Sequence, residues 1–283
     1  MTALGGLIAR LRSARSPNGS AAASDGGVDT PPAVPRCPPG SRTGPPDFVG
    51  VGTQRAGTTR WFRLIAEHPE ITSPPAGTKE LHYFDQFYAG GWDEASSARY
   101  HEYFPRAEGR KVGEWTPMYC SAPWIAPLLA EAAPEARLLV LLRDPVERYL
   151  SGLQLGRKVA VRRGAPLSRY APIEAFARGL YHGQLMGLLE HFPREQLLVL
   201  QYERCSLEPA VELERTFSFL GLQDTALRPD LERHPRRQKE KPALDERTRR
   251  AYVEAYEQDV RALVGAFAEI DVSLWPNFAH LAS

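Results

Sequence analysis

A chain of 283 residues, 43% hydrophobic and 24% charged, carries enough apolar material for one large α/β domain or two small ones. Its formal net charge of +1 argues against a general nucleic-acid binder, which would hold a clear excess of cations. Cys37, Cys120 and Cys205 are widely spaced and form neither a disulfide framework nor a metal-ligand pattern, and no apolar run approaches the ~18 residues that span a bilayer.

Residues 13–46 are dominated by Ser, Gly, Ala and Pro, with Pro31-Pro32, Pro38-Pro39 and Pro45-Pro46. Such a composition cannot bury enough apolar surface to offset its ordering entropy. A disordered tail is therefore expected over 1–45 and a single folded domain over 46–283. Phe48–Val51 reads as a buried strand, and Gly57–Glu67 as a helix ended by Pro69. A short strand is expected over Lys111–Trp115 and a helix over Ser121–Ala132. Arg137–Leu142 contains an unbroken apolar run of the kind found in a central parallel strand. A helix follows from Pro145, where proline is well tolerated in the first turn. Pro172–His191 reads as helix, Leu197–Gln201 as strand, and Glu208–Leu220 and Asp245–Ala268 as amphipathic helices. The alternation predicts an α/β, P-loop-like three-layer fold with a central parallel sheet flanked by helices. Ligands of such folds bind at the carboxyl ends of the strands.

Two motifs fall at those ends. In Phe48-Val49-Gly50-Val51-Gly52-Thr53-Gln54-Arg55-Ala56-Gly57-Thr58-Thr59 a strand enters a glycine-framed turn that opens a helix, so backbone N–H groups and a helix dipole converge on one anion site. The spacing Gly52-x4-Gly57 matches a P-loop, but Thr58 stands where a nucleotide triphosphatase carries lysine. The second motif is Arg143-Asp144-Pro145-Val146-Glu147-Arg148-Tyr149-Leu150-Ser151, after the strongest strand. Its guanidinium fork and hydroxyl, about two helical turns apart, can converge on a second anion. Alone, Arg-Asp-Pro at a strand end is as consistent with a local salt bridge. Together the motifs suit a nucleotide phosphorylated at both ribose ends.

The chain resembles the sulfotransferases that use 3′-phosphoadenosine 5′-phosphosulfate (PAPS), especially the heparan-sulfate type and its bacterial relatives. Five blocks across residues 46–278 carry the resemblance: Pro46–Thr59, Lys79–Asp85, Gly113–Tyr119, Arg143–Ser151, and Leu180-Tyr181-His182 through Phe192-Pro193. By that similarity Arg55, Ala56, Gly57, Thr58 and Thr59 cradle the 5′-phosphosulfate, while Arg143 and Ser151 hold the 3′-phosphate. Family members usually carry lysine at the position of Arg55, and heparan-type enzymes often carry lysine at that of Trp115. The Lys79-Glu80-Leu81-His82 block matches the position of the family's catalytic base, and the resemblance implies that role for Glu80. His82 is the alternative base, or a group orienting the sulfonate, and Lys79 would stabilise charge on the transferring group. The resemblance also implies in-line transfer of the sulfuryl group of PAPS, as co-substrate, to a hydroxyl or amine, with no metal required.

The acceptor is left open between a carbohydrate or other glycan, a lipid and a small secondary metabolite. Rings are dense between Leu81 and Trp124, some expected in the core and the rest lining a pocket. Residues 76–125 hold five Lys/Arg against seven Asp/Glu, which disfavours a highly sulfated glycosaminoglycan. Cations cluster at Arg157, Lys158, Arg162, Arg163 and Arg169, with no acid between Tyr149 and Ile173, and again at Arg236, Arg237, Lys239 and Lys241. Each cluster reads as a solvated loop or as a cover that attracts the nucleotide. Arg237 and Lys239, at the position of a nucleotide-closing loop in relatives, are further binding candidates. The absence of a spanning run and the Ala/Arg/Pro-rich composition lead to the expectation of a cytoplasmic, bacterial enzyme without stable membrane insertion or nucleic-acid partner. Two rivals remain at this level. One is a small-molecule kinase on the same fold, which would need the lysine missing at Thr58. The other is a non-catalytic nucleotide-binding protein.

Overall fold

The computed structural model describes residues 31–73, 79–223, 231 and 244–282. Most of the tail expected over 1–45, together with Arg237 and Lys239, lies outside these residues. Ser41–Arg42 (β1) leads to the buried strand Phe48–Gly52 (β2), which feeds the helix Thr58–Ala66 (α1). Glu94–His101 (α2) follows, and Arg106–Ala107 (β3) pairs antiparallel with β1. Gly113–Trp115 (β4), Ile125–Ala132 (α3), Arg137–Leu142 (β5) and Pro145–Arg162 (α4) form the middle of the chain. Ala171–Ala177 (α5), Tyr181–Leu189 (α6), Leu197–Gln201 (β6), Tyr202–Leu207 (α7), Pro209–Leu220 (α8) and Glu246–Ala266 (α9) complete it.

The main sheet has the order β4-β2-β5-β6, with every pairing parallel. Side chains alternate across a strand. Leu138, Val140 and Leu142 therefore pack on one face with residues of α3, α6 and α9, while Leu139 and Leu141 pack on the other with residues of α1 and α8. Both faces being covered explains why the β5 run is apolar at every position. Trp61 crosses from α1 to α8, its Nε1 donating to Thr216 Oγ1 at 3.2 Å. Parallel strands with helices on both faces are the three-layer α/β arrangement expected from the sequence.

Two of the expected helices take a different form. The helix expected from Ser121 begins at Ile125, because Pro123 holds Ala122 extended (φ −116°, ψ 103°) after a 3₁₀ turn at Tyr119–Ser121. The helix expected over Pro172–His191 is two helices. At the break, Gly179 lies where a Cβ would meet the Tyr256 hydroxyl at 2.8 Å, and Asp259 of α9 accepts from the amides of Tyr181 at 2.7 Å and His182 at 3.2 Å. A cap supplied by a distant helix leaves no local signal. The short helices α2 and α7 also lay beneath sequence detection.

Candidate active site

Gly52 ends β2, and the loop 53–57 turns the chain into α1. Thr53 ties the loop to the end of β5, its Oγ1 donating to the Leu141 carbonyl at 2.9 Å and its amide to the same oxygen at 3.1 Å. Gly57 caps α1 at φ 95° and brings no side chain of its own to the first-turn amides, and a Cβ there would stand 2.9 Å from the Tyr202 ring. Only glycine meets both demands. The N-terminal turn of α1 is thereby left open to an anion.

Three cations surround it. Arg55 (φ 74°) donates from Nε to Ser151 Oγ at 3.0 Å, joining the loop to the second turn of α4. Arg143, at the end of β5, donates from Nη1 to the Arg55 carbonyl at 3.2 Å. Its guanidinium lies 4.9 Å from the centre of the Tyr202 ring. Glu147 Oε2, 3.8 Å from Arg143 Nη2, offsets part of that charge. Lys79 reaches in from the segment beside β4, its Nζ donating to Thr58 Oγ1 at 3.0 Å. An ammonium from elsewhere in the chain thus stands at the position whose own lysine is missing. The two anion-binding motifs and the Lys79–His82 block, separate in sequence, meet at one place.

Burial and neighbouring charges both act on these cations. Burial, then the neighbouring Arg143 and Arg148, hold the Arg55 guanidinium below its ordinary range. Burial also lowers Lys79, more than Glu80 raises it. Arg148 is fully buried in α4; its Nη2 donates to the Ala175 carbonyl, while Nε and Nη1 find no hydrogen-bond partner among the described residues. Arg178, at the end of α5, donates to the Gln54 side chain at 3.1 Å.

Glu80 Oε1 is 2.7 Å from Lys79 Nζ, and its Oε2 is 3.5 Å from His82 Nε2. His82 Nδ1 is 2.8 Å from Asp85 Oδ2. Burial would lower His82, but the hydrogen bonds and charges of Asp85 and Glu80 outweigh it and carry the imidazole up to about 10. Burial likewise would raise Glu80, yet the His82 hydrogen bond and Lys79 hold its carboxyl below the ordinary range. The result is an ionised carboxylate, partly open to solvent, beside a protonated imidazole.

What fixes this segment is Glu114, fully buried in β4. Its Oε2 accepts from Leu81 N at 3.2 Å and from Thr116 Oγ1 at 2.5 Å, and its Oε1 accepts from the Tyr100 hydroxyl at 3.0 Å. Thr116 Oγ1 in turn accepts from Leu81 N at 3.0 Å. Burial raises the Glu114 carboxyl despite these donors. Trp115, next along, donates its amide to the Lys79 carbonyl at 2.8 Å and its indole to the Gly52 carbonyl at 3.0 Å. Trp115 therefore supports the loop from beneath. Sequence reasoning missed Glu114 and Asp85; the second had a weak signal, three residues after His82.

Most of the rings between Leu81 and Trp124 belong to the core. Tyr83, Phe84, Tyr100, Tyr103, Phe104, Trp115 and Tyr119 are buried, and only Tyr88 and Trp124 are exposed, 6.5 Å apart.

A family model described as "Sulfotransferase domain" matches residues 45–241. The membrane-associated sulfotransferase kil1 of Dictyostelium discoideum is 35% identical over 127 residues, which are 44% of this chain and 26% of that protein. Heparan sulfate glucosamine 3-O-sulfotransferase 3A1 of Mus musculus is 30% identical over 188 residues, 62% of this chain and 46% of that protein. The chain thus spans less than half the length of either relative. A solved sulfotransferase from Alicyclobacillus acidocaldarius superposes with a TM-score of 0.63 at 26% identity, covering 81% of this chain and 98% of that one.

Proposed function

The chain belongs to the PAPS-dependent sulfotransferase family, and we propose that it moves the sulfuryl group of PAPS to a hydroxyl or amine of a glycan, lipid or small-molecule acceptor, with Glu80 as general base. One observation carries the reading: Arg55, Lys79 and Arg143 converge with the hydroxyls of Thr58 and Ser151 on the open N-terminus of α1, and the Glu80 carboxylate stands at the rim. The residues fit the donor. Loop residues 55–59 would hold the 5′-phosphosulfate and Arg143 with Ser151 the 3′-phosphate; the donor, when bound, supplies the activated sulfuryl group.

The side chains divide the remaining work. Glu80, ionised at neutral pH, takes the acceptor proton as the new bond forms. His82 is a poorer base because its imidazole already carries a proton between two carboxylates. Its role in this reading is to keep Glu80 oriented and to offer positive charge at the rim. Lys79 and Arg55 stabilise charge on the transferring group and the leaving oxygen. Arg55 keeps the charge of the family's usual lysine, spread over a fork that Ser151 aims.

The near balance of acids and bases over 76–125 supports an acceptor that is not highly sulfated. Free thiols at Cys37, Cys120 and Cys205 support a reducing, cytoplasmic setting. Among the described residues no helix is long and apolar enough to cross a membrane.

Calorimetric titration with 3′,5′-diphosphoadenosine, AMP and ATP under one set of conditions tests the reading. Tight binding of the diphosphate with weak binding of the other two is expected. Preference for ATP, or no binding of any of the three, would overturn it.

A further inference from the structure

α4 runs on past Ser151 to Arg162, and its distal half has no part in the site described above. Arg157, Lys158, Arg162, Arg163 and Arg169 are all exposed, and none forms an ion pair among the described residues. The whole chain carries only +1, yet residues 150–172 hold these five cations and no acid, so the charge of this stretch is unbalanced locally. On α4, positions 157, 158, 161 and 162 fall within about 140° of one another at 100° per residue, forming one outward face. That face, the turn after it and the start of α5 also carry apolar side chains. Val161 is 79% exposed, Ile173 65% and Tyr170 52%. Tyr170 is held by Arg169, whose guanidinium lies 4.8 Å from the ring centre and donates to the phenol oxygen at 2.6 Å.

We propose that this patch, the distal half of α4 with the turn that follows and the start of α5, docks the protein on the surface of an anionic lipid bilayer. The cations match the negative surface, each contributing about a fivefold gain in partition when close to it. The apolar side chains distinguish a bilayer from a soluble polyanion. Val161, Ile173 and the Tyr170 ring have nothing to bury against a sulfated or phosphorylated chain, but they enter the boundary between headgroups and acyl chains. At 1.5 Å per residue, Arg157 and Arg162 stand about 9 and 16 Å along the axis from Ser151, so a docked chain holds the candidate site close to the bilayer surface. Docking is independent of which group is transferred.

Sedimentation of the full chain with large unilamellar vesicles tests the proposal, using phosphatidylcholine alone or with 30% phosphatidylserine, at low and high salt. Binding to the mixed vesicles only, lost at high salt, is expected. Arg157→Gln/Arg162→Gln/Arg163→Gln should cut partition roughly a hundredfold. Val161→Ser/Ile173→Ser should weaken it severalfold with the charges intact. Both variants should bind 3′,5′-diphosphoadenosine as the parent does, showing that each folds. Equal binding to both vesicle types, or no effect of the charge variant, would overturn the proposal. So would an apolar variant that binds vesicles normally while heparin displaces the parent, which would assign the patch to a soluble polyanion. A loss of diphosphate affinity in a charge variant whose thermal stability matches the parent's would assign it to the nucleotide instead.

Discussion

Gly50→Ala probes how the core supports the loop. Gly50 lies mid-strand in β2, opposite Trp115 of β4, and an added Cβ would stand 2.0 Å from Cγ and Cδ2 of the indole. Ordinary contact begins at 3.4 Å, so the ring must retreat by 1.4 Å. Trp115 is fully buried, so its retreat must displace neighbours, and it pulls Nε1 from the Gly52 carbonyl, now 3.0 Å away. Overpacking of this kind costs about 1–3 kcal/mol. Leaving a buried N–H unpaired adds about 1–3 kcal/mol. The expected loss is about 4 kcal/mol, a drop in Tm of roughly 8–16 °C for a chain of this size. Urea denaturation reads the stability, and titration with 3′,5′-diphosphoadenosine should show weaker binding because Gly52 begins the loop. Trp115→Leu removes the obstruction, so the double variant should be more stable than the sum of the singles by about 1 kcal/mol or more. A loss below about 0.5 kcal/mol, or strict additivity, would refute the account of Trp115 as the loop's support.

Other consequences are more direct. Glu80→Gln should lower transfer by about 10²–10⁴-fold while diphosphate affinity barely changes, and normal turnover in that variant would remove Glu80 as the base. Arg143→Ala loses a charge-assisted contact worth about 1.5–3 kcal/mol and should weaken diphosphate binding by roughly 10–100-fold; unchanged affinity would refute its 3′-phosphate role. His82 is raised from an ordinary 6.5 to about 10, so the stability it adds is complete below pH 6.5 and drains away as pH rises through 10. The gap in urea midpoint between the parent and His82→Gln should therefore narrow across that window, and a constant gap would contradict the protonated imidazole. Cys37 is exposed, whereas burial pushes the Cys120 thiol up to about 12 and raises Cys205. A disulfide reagent should label one thiol quickly in the native protein and the other two only on unfolding; three similar rates would contradict the burial.

Local chemistry made much of this protein legible from its sequence. Strands β5 and β6 were read with the bounds that the structure gives them, since each is an unbroken apolar run, buried on both faces, with a single polar residue marking one end, Arg137 or Gln201. Gly57 and Pro145 marked helix starts because their backbone preferences act within a residue or two. The loop and the Arg143–Ser151 segment could be placed at strand ends for the same reason. Tertiary structure decided what meets what. Lys79 reaches Thr58 across 21 positions, Arg55 reaches Ser151 across 96, and Asp259 caps α6 across 78. No periodicity encodes which donor finds which acceptor over such separations, because that depends on how the layers pack. The protonation of His82 and the anchoring role of Glu114 belong to the same class: each is set by burial and by partners that only the folded chain brings within hydrogen-bond distance.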